Sequence, residues 1–215
     1  MLMKSLNKNT KQRASGFSLI EMMIVMAIVI IMASITFVSL IPVLRQERLN
    51  NAYNTVLSAM RIARDNAISQ RTSYSVTFSS SVTPNTITIA PTITFAGSQP
   101  AIVYQLPTDV TFLAQSGLPA TAPDGYGTGL VAIDLGYTAS GTGTGGSSST
   151  YFCPDGSAQA DATGNCSGSW DGGVIYISRS GDLLSSRAVT LWGGTGRIRG
   201  WRLYTKTGGY QWLRQ

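Results

Sequence analysis

Gly16-Phe17-Ser18-Leu19-Ile20-Glu21, followed over 22–44 by MMIVMAIVIIMASITFVSLIPVL, is the stretch that decides how this chain is built. From Met22 to Leu44 no residue is charged. An uncharged apolar run of roughly 20 residues is what a helix needs to cross a bilayer core. The one acid, Glu21, stands at the edge of that run, where a carboxylate costs free energy and by default has a partner. The nearest candidate is an amine four residues earlier, which exists only if the chain is cut after Gly16 and Phe17 becomes the N-terminus.

The residues before the cut support this reading. Met1–Ser15 holds Lys4, Lys8, Lys11 and Arg13, with no acid and no apolar core of its own. A secretory signal carries its apolar stretch before the cleavage point and loses it, whereas here the apolar stretch stays with the mature chain.

The basic leader, the Gly-Phe-Ser-Leu-Ile-Glu run and the apolar helix together resemble the class III signal of the type IV pilin and type II secretion pseudopilin superfamily. The resemblance implies a membrane peptidase that cuts after Gly16 and methylates Phe17. It also implies that Glu21 pairs with a subunit's N-terminal amine during filament assembly. Pro42 departs from the family pattern, lying about one turn later than its common helix proline.

Beyond the anchor, Leu49, Ala52, Tyr53, Val56, Met60, Ala63 and Ala67 recur at three- and four-residue steps, which predicts that the helix continues to Arg71 with one apolar face. At 1.5 Å per residue such a helix is roughly 80 Å long. The expected organisation is a leader over 1–16, a membrane half over 17–44, an amphipathic half over 45–71, and a β-rich head over 72–215.

Within the head the period changes to alternation. Strands are expected at Tyr74–Phe78, Thr86–Phe95, Ala101–Leu106, Val110–Leu113 and Leu130–Leu135, with Pro91 marking an edge or a bulge. Val174–Ser178, Ala188–Trp192, Arg197–Tyr204 and Tyr210–Leu213 read as a β-meander. The Gly, Ser and Thr content of 136–150 predicts a flexible loop, followed over 151–170 by an excursion closed by Cys153 and Cys166. In an exported chain these two cysteines are expected to form a disulfide. The fold class is therefore α+β, a long helix packed on an antiparallel sheet.

The charge of +6 divides unevenly. No basic residue lies between Thr72 and Ser178, while Arg179, Arg187, Arg197, Arg199, Arg202, Lys206 and Arg214 follow, opposed only by Asp182. Without histidine there is no imidazole acid–base pair or triad, and six scattered aspartates show no shared spacing, so no enzyme, cofactor or metal is expected.

Met60–Ala67, Tyr176–Asp182, and Val189-Thr190-Leu191 leading to Gly196-Arg197-Ile198-Arg199 resemble the GspH/FimT branch of minor pilins. That resemblance implies a structural subunit of a type II secretion pseudopilus or a type IV pilus. Its partners are other pilins, the prepilin peptidase and the bacterial inner membrane, with a single span and a periplasmic head. The alternative it implies is DNA binding during uptake, carried by Arg197, Arg199 and Arg202.

Overall fold

The structure, a computed structural model, describes residues 16–93, 100–127, 129–139, 142–160 and 163–215. In chain order the elements are α1 (Leu19–Gln70), β1 (Tyr74–Ser79), β2 (Thr86–Pro91), β3 (Ile102–Gln105), β4 (Thr111–Phe112), β5 (Ile133–Ala139) and β6 (Thr142–Ser147). They continue with β7 (Ser149–Phe152), β8 (Ala158–Gln159), β9 (Gly172–Arg179), β10 (Asp182–Trp192), β11 (Arg197–Lys206) and β12 (Gly209–Arg214). The chain divides into two compact units between Leu44 and Arg45.

In the first unit α1 is helical from Leu19 and carries Pro42 inside it. The Ser34 and Thr36 hydroxyls donate to the Ile30 and Met32 carbonyls at 2.8 and 2.9 Å, so these polar groups are satisfied within the helix.

The second unit holds every buried apolar residue among the described ones. All seven of the helix positions expected to face the core, from Leu49 to Ala67, are buried. They pack with Val76, Phe78, Ile87 and Ile89 from a five-stranded sheet ordered β3-β2-β1-β7-β8. Ile175, Ile177, Val189 and Leu191 join the same core from a seven-stranded sheet, β12-β11-β10-β9-β5-β6, with β4 beside β9. Every strand pair is antiparallel, and β9 to β12 form the expected meander.

The larger sheet is covered on both faces. Val174, Tyr176, Ala188, Leu203 and Trp212 point away from α1 into a second cluster that Ala114, Leu118 and Tyr126 close over. Successive strand residues point to opposite faces, so burial on both sides makes Gly172–Ser178 buried throughout.

Several boundaries differ from the sequence reading, and β10 begins at Asp182, six residues before the expected Ala188. β2 ends at Pro91, while Thr92 and Ile93 lie beyond the strand and Thr94 and Phe95 lie outside the described residues. Pro91 pairs with Tyr74 on one side, but β3 reaches only Ile89 on the other, so its missing N–H costs no ladder bond there. The strand expected at Leu130–Leu135 begins instead at Ile133 and runs on to Ala139, leaving Leu130 exposed.

The segment expected as a loop over 136–150 is mostly strand, lying in β5, β6 and β7. One of its glycines serves close approach. A Cβ on Gly145 would collide with the Asp134 carboxylate and the Tyr137 ring.

Candidate functional site

Two regions carry the residues singled out from the sequence. At the N-terminal one, Gly16, Phe17 and Ser18 precede α1, and the Met22 N–H donates to the Ser18 carbonyl at 3.2 Å. Glu21 sits in the first helical turn. Phe17, Leu19, Ile20 and the apolar side chains described from there to Leu44 are exposed. A surface this apolar is one that a bilayer or another helix covers.

The second region is the start of β11. A left-handed backbone at Gly196 (φ 58°, ψ 25°) closes a short turn over Gly193–Thr195 and leads into Arg197. The glycine is required twice, because a Cβ there would also overlap the Gly156 carbonyl oxygen and crowd Arg64. Arg64, from α1, donates from Nε to the Gly156 carbonyl at 3.0 Å and from Nη2 to the Thr195 carbonyl at 3.2 Å. Helix, disulfide segment and β11 therefore meet at this guanidinium.

The three candidate arginines separate. Arg197 is exposed and lines a groove of about 380 Å³ with Arg61, Arg64, Asp65, Thr195, Gly196 and Ile198. Arg199 turns into the protein, donating from Nη1 to Asp124 Oδ1 at 2.6 Å, with its guanidinium 5.7 Å from the Trp192 ring centre. Asp124 Oδ2 accepts the Thr190 hydroxyl at 2.6 Å, and Thr190 Oγ1 accepts from Trp201 Nε1 at 3.0 Å.

Arg202 lies over the Tyr204 ring at 5.1 Å and opposite Arg187 in the β10–β11 register. Arg187 is buried, and its Nη1 donates to the Leu184, Ser185 and Ser186 carbonyls of an irregular stretch of β10. Burial first, and the Arg202 charge second, lower its pKa to about 10.

Cys153 and Cys166 are joined in a disulfide, as expected. Inside the segment it closes, the Ser157 N–H donates to Asp155 Oδ1 at 2.8 Å, and hydrogen bonds from Ser157 hold that carboxyl below its usual range. Asp134 and Asp171 are buried elsewhere in the head. Asp134 accepts the Tyr137 hydroxyl at 2.9 Å and the Gly146 N–H at 2.8 Å, while Asp171 accepts the Gly136 N–H at 2.6 Å. Burial, then the hydrogen bond to Asp134, pushes the Tyr137 phenol up to about 12. Among the described residues no group of three or more acids or cysteines is placed to hold a metal.

Residues 11–37 match the prokaryotic N-terminal methylation motif. This match takes in Gly16, Phe17, Glu21 and the first part of the apolar helix. The N-terminus is thus that of a type IV pilin-like protein, and the motif implies processing by a prepilin peptidase and assembly with other pilins. Motif and apolar helix together mark a membrane-anchored chain. No curated protein matches the chain, and no solved structure matches it.

Sequence reasoning missed Arg61, Arg64 and Asp124 as members of the basic region. Arg61 and Arg64 sit on exposed or half-buried helix positions three residues apart, a spacing that places them on one side of a helix, and that signal was available. Asp124 offered none, being 75 residues from Arg199.

Proposed function

We propose that this protein is a GspH/FimT-type minor pilin or pseudopilin, a structural subunit of a type II secretion pseudopilus or a type IV pilus. In this reading the leader is removed after Gly16, Phe17 is methylated, and the span holds the protein in the bacterial inner membrane with the head in the periplasm. Glu21 neutralises a subunit's N-terminal amine inside the filament. The observation that carries the proposal is the methylation motif over 11–37, running into an exposed apolar helix that continues into a β-rich head. No catalytic role is assigned to the head.

The experiment is mass spectrometry of the protein recovered from membranes, with and without Gly16→Val. The expected native species begins with a methylated Phe17, and the variant keeps its leader. A native chain with Met1–Gly16 intact would end the proposal.

A second reading is favoured by the groove at Arg61, Arg64 and Arg197, where cationic side chains from α1 and β11 converge. There the head binds DNA phosphates, as the FimT resemblance implies for the Gly196-Arg197-Ile198-Arg199 element. Neutralising a phosphate releases counterions, so affinity falls steeply with salt. Since Arg199 is held by Asp124, the salt slope is expected to follow Arg61 and Arg197. An Arg61→Gln, Arg197→Gln double variant of the full chain in neutral detergent should show a shallower slope, and an unchanged slope would remove this reading.

A further inference from the structure

Trp170 is 58% exposed, yet the chain that carries it is fixed from several directions. Trp170 forms a β-bridge with Gln159, the Ala160 N–H donates to the Ser169 carbonyl at 3.0 Å, and the Asp171 N–H donates to the Ala158 carbonyl at 2.9 Å. The Cys153–Cys166 disulfide ties the preceding segment. An indole held in this way loses little conformational freedom when something binds it.

The face it lies against is made by glycine. A Cβ on Gly194 would sit 3.4 Å from ring atoms Cδ2 and Cε3, and one on Gly193 would be 2.9 Å from Trp170 Cβ and 2.6 Å from the Asp171 nitrogen. The indole therefore rests on the Gly193-Gly194 turn, which continues through Thr195 and Gly196 to Arg197. Three residues span at most about 10 Å, so the turn under the indole lies within that backbone reach of Arg197, which lines the groove.

The surroundings separate two kinds of partner. A protein hot spot sets its aromatic anchor among apolar contacts that exclude water. Trp170 instead follows Ser167, Gly168 and Ser169, all exposed, and faces a glycine turn beside Arg61, Arg64 and Arg197. Asp65 is the acid that lines the groove with Arg61, Arg64 and Arg197, while the Asp171 carboxylate, next to Trp170 in the chain, is buried and accepts the Gly136 N–H. An open ring next to guanidinium groups suits a ligand with a flat π-face and an anionic backbone.

We propose that Trp170 is a stacking platform for unpaired nucleobases, with the adjoining phosphates along the Arg61–Arg197 groove, which makes single-stranded nucleic acid the ligand. This rests on the DNA reading given above. It differs from that reading in the predicted preference, since a paired base inside a duplex offers no free face to the indole.

The test is fluorescence anisotropy of a labelled oligothymidylate and of a duplex of equal length, with the full chain in neutral detergent at several salt concentrations. Stacking is worth roughly 5- to 150-fold in affinity per base. Trp170→Ala should weaken oligothymidylate binding by that factor at fixed salt, leave the salt slope unchanged and spare duplex binding. Trp170→Phe should restore most of the loss and controls for folding. Unaltered oligothymidylate binding by Trp170→Ala, with the slope still reduced by Arg61→Gln and Arg197→Gln, would overturn the platform and keep the DNA reading. Equal losses for both ligands that Trp170→Phe does not rescue would also overturn it. Absence of salt-dependent binding by the unmodified protein would overturn both.

Discussion

Arg199 donates from Nη1 to Asp124 Oδ1 at 2.6 Å, and the same carboxylate takes the Thr190 hydroxyl through its other oxygen, also at 2.6 Å. The Asp124 side chain is 7% exposed and that of Arg199 20%, so solvent screens the pair only partly. Removing one partner of a shielded pair strands the other charge, which costs more than the intact pair contributes.

Asp124→Asn and Arg199→Gln are each expected to lower the unfolding free energy of the head by about 1–3 kcal/mol, below the cost for a fully buried pair because Arg199 keeps some solvent. Asparagine tolerates the left-handed backbone at position 124 (φ 55°), so the first variant tests charge with little added backbone strain. The double variant should lose less than the sum of the two. The exposed Arg197→Gln is expected to stay within about 0.5 kcal/mol of the parent. Urea unfolding followed by tryptophan fluorescence checks all four, and additive losses would show that Arg199 and Asp124 act separately.

What was legible in the sequence was local. The apolar run over 22–44 and the steps from Leu49 to Ala67 state a helix and its buried face within a few turns of chain, and β9 to β12 are neighbours in sequence as well as in the sheet. The strands over 136–150 were hidden because Tyr137 and Ala139 stand among glycines, serines and threonines, too few apolar side chains to display an alternation. Volume that a side chain at Gly145 would fill is taken by Asp134 and Tyr137. The basic site was half legible for a related reason. Arg197 and Arg199 look equivalent two residues apart on one strand, and only the fold brings Asp124 to Arg199.

The carboxyl of Asp171 is pushed up to about 6 by burial, against the lowering effect of the Gly136 N–H that it accepts. The folded state therefore holds this proton more tightly than the unfolded chain, whose carboxyl titrates near 3.8. Its contribution to stability is fully present below about pH 4 and is lost as pH rises through 6, amounting to on the order of 3 kcal/mol. Asp171→Asn keeps an acceptor for Gly136 and has nothing to ionise. The difference in urea midpoint between variant and parent should grow in the variant's favour from pH 4.5 to 7.5. Contributions common to both proteins, including that of Asp155, cancel in the difference. A constant difference across that range would mean that Asp171 titrates normally.

Glu21 lies in the first turn of α1 at the start of the apolar run. Replacing it with alanine removes the charge that opposes burial in hydrocarbon, so Glu21→Ala should insert into membranes at least as well as the parent. If its role is to pair with an amine in the filament, the variant should be depleted from filaments by tenfold or more, since an uncompensated ammonium in an apolar contact is costly. Crosslinking to partner pilins, normalised to membrane content, reads this out. Wild-type crosslinking by the alanine variant would exclude the pairing.

Gly196 and Gly181 both have left-handed backbones, with φ of 58° and 77°, but their surroundings differ. A Cβ on Gly181 meets nothing within 4 Å, whereas one on Gly196 overlaps the Gly156 carbonyl and approaches Arg64 Nε to 2.8 Å. Alanine at either position carries the backbone penalty of about 1–2 kcal/mol. At Gly196 it must also push the 153–157 turn away from α1, disturbing the bonds from Arg64 to the Gly156 and Thr195 carbonyls. Two hydrogen bonds from a charged donor contribute roughly 1.5–3 kcal/mol each. Gly196→Ala is therefore expected to cost at least 2 kcal/mol more than Gly181→Ala in urea unfolding. Arg64→Met in the Gly196→Ala background should then add little, because its bonds are already disturbed. Equal costs at the two glycines would mean that the turn at Gly156 yields freely and that Arg64 does not hold helix, disulfide segment and β11 together.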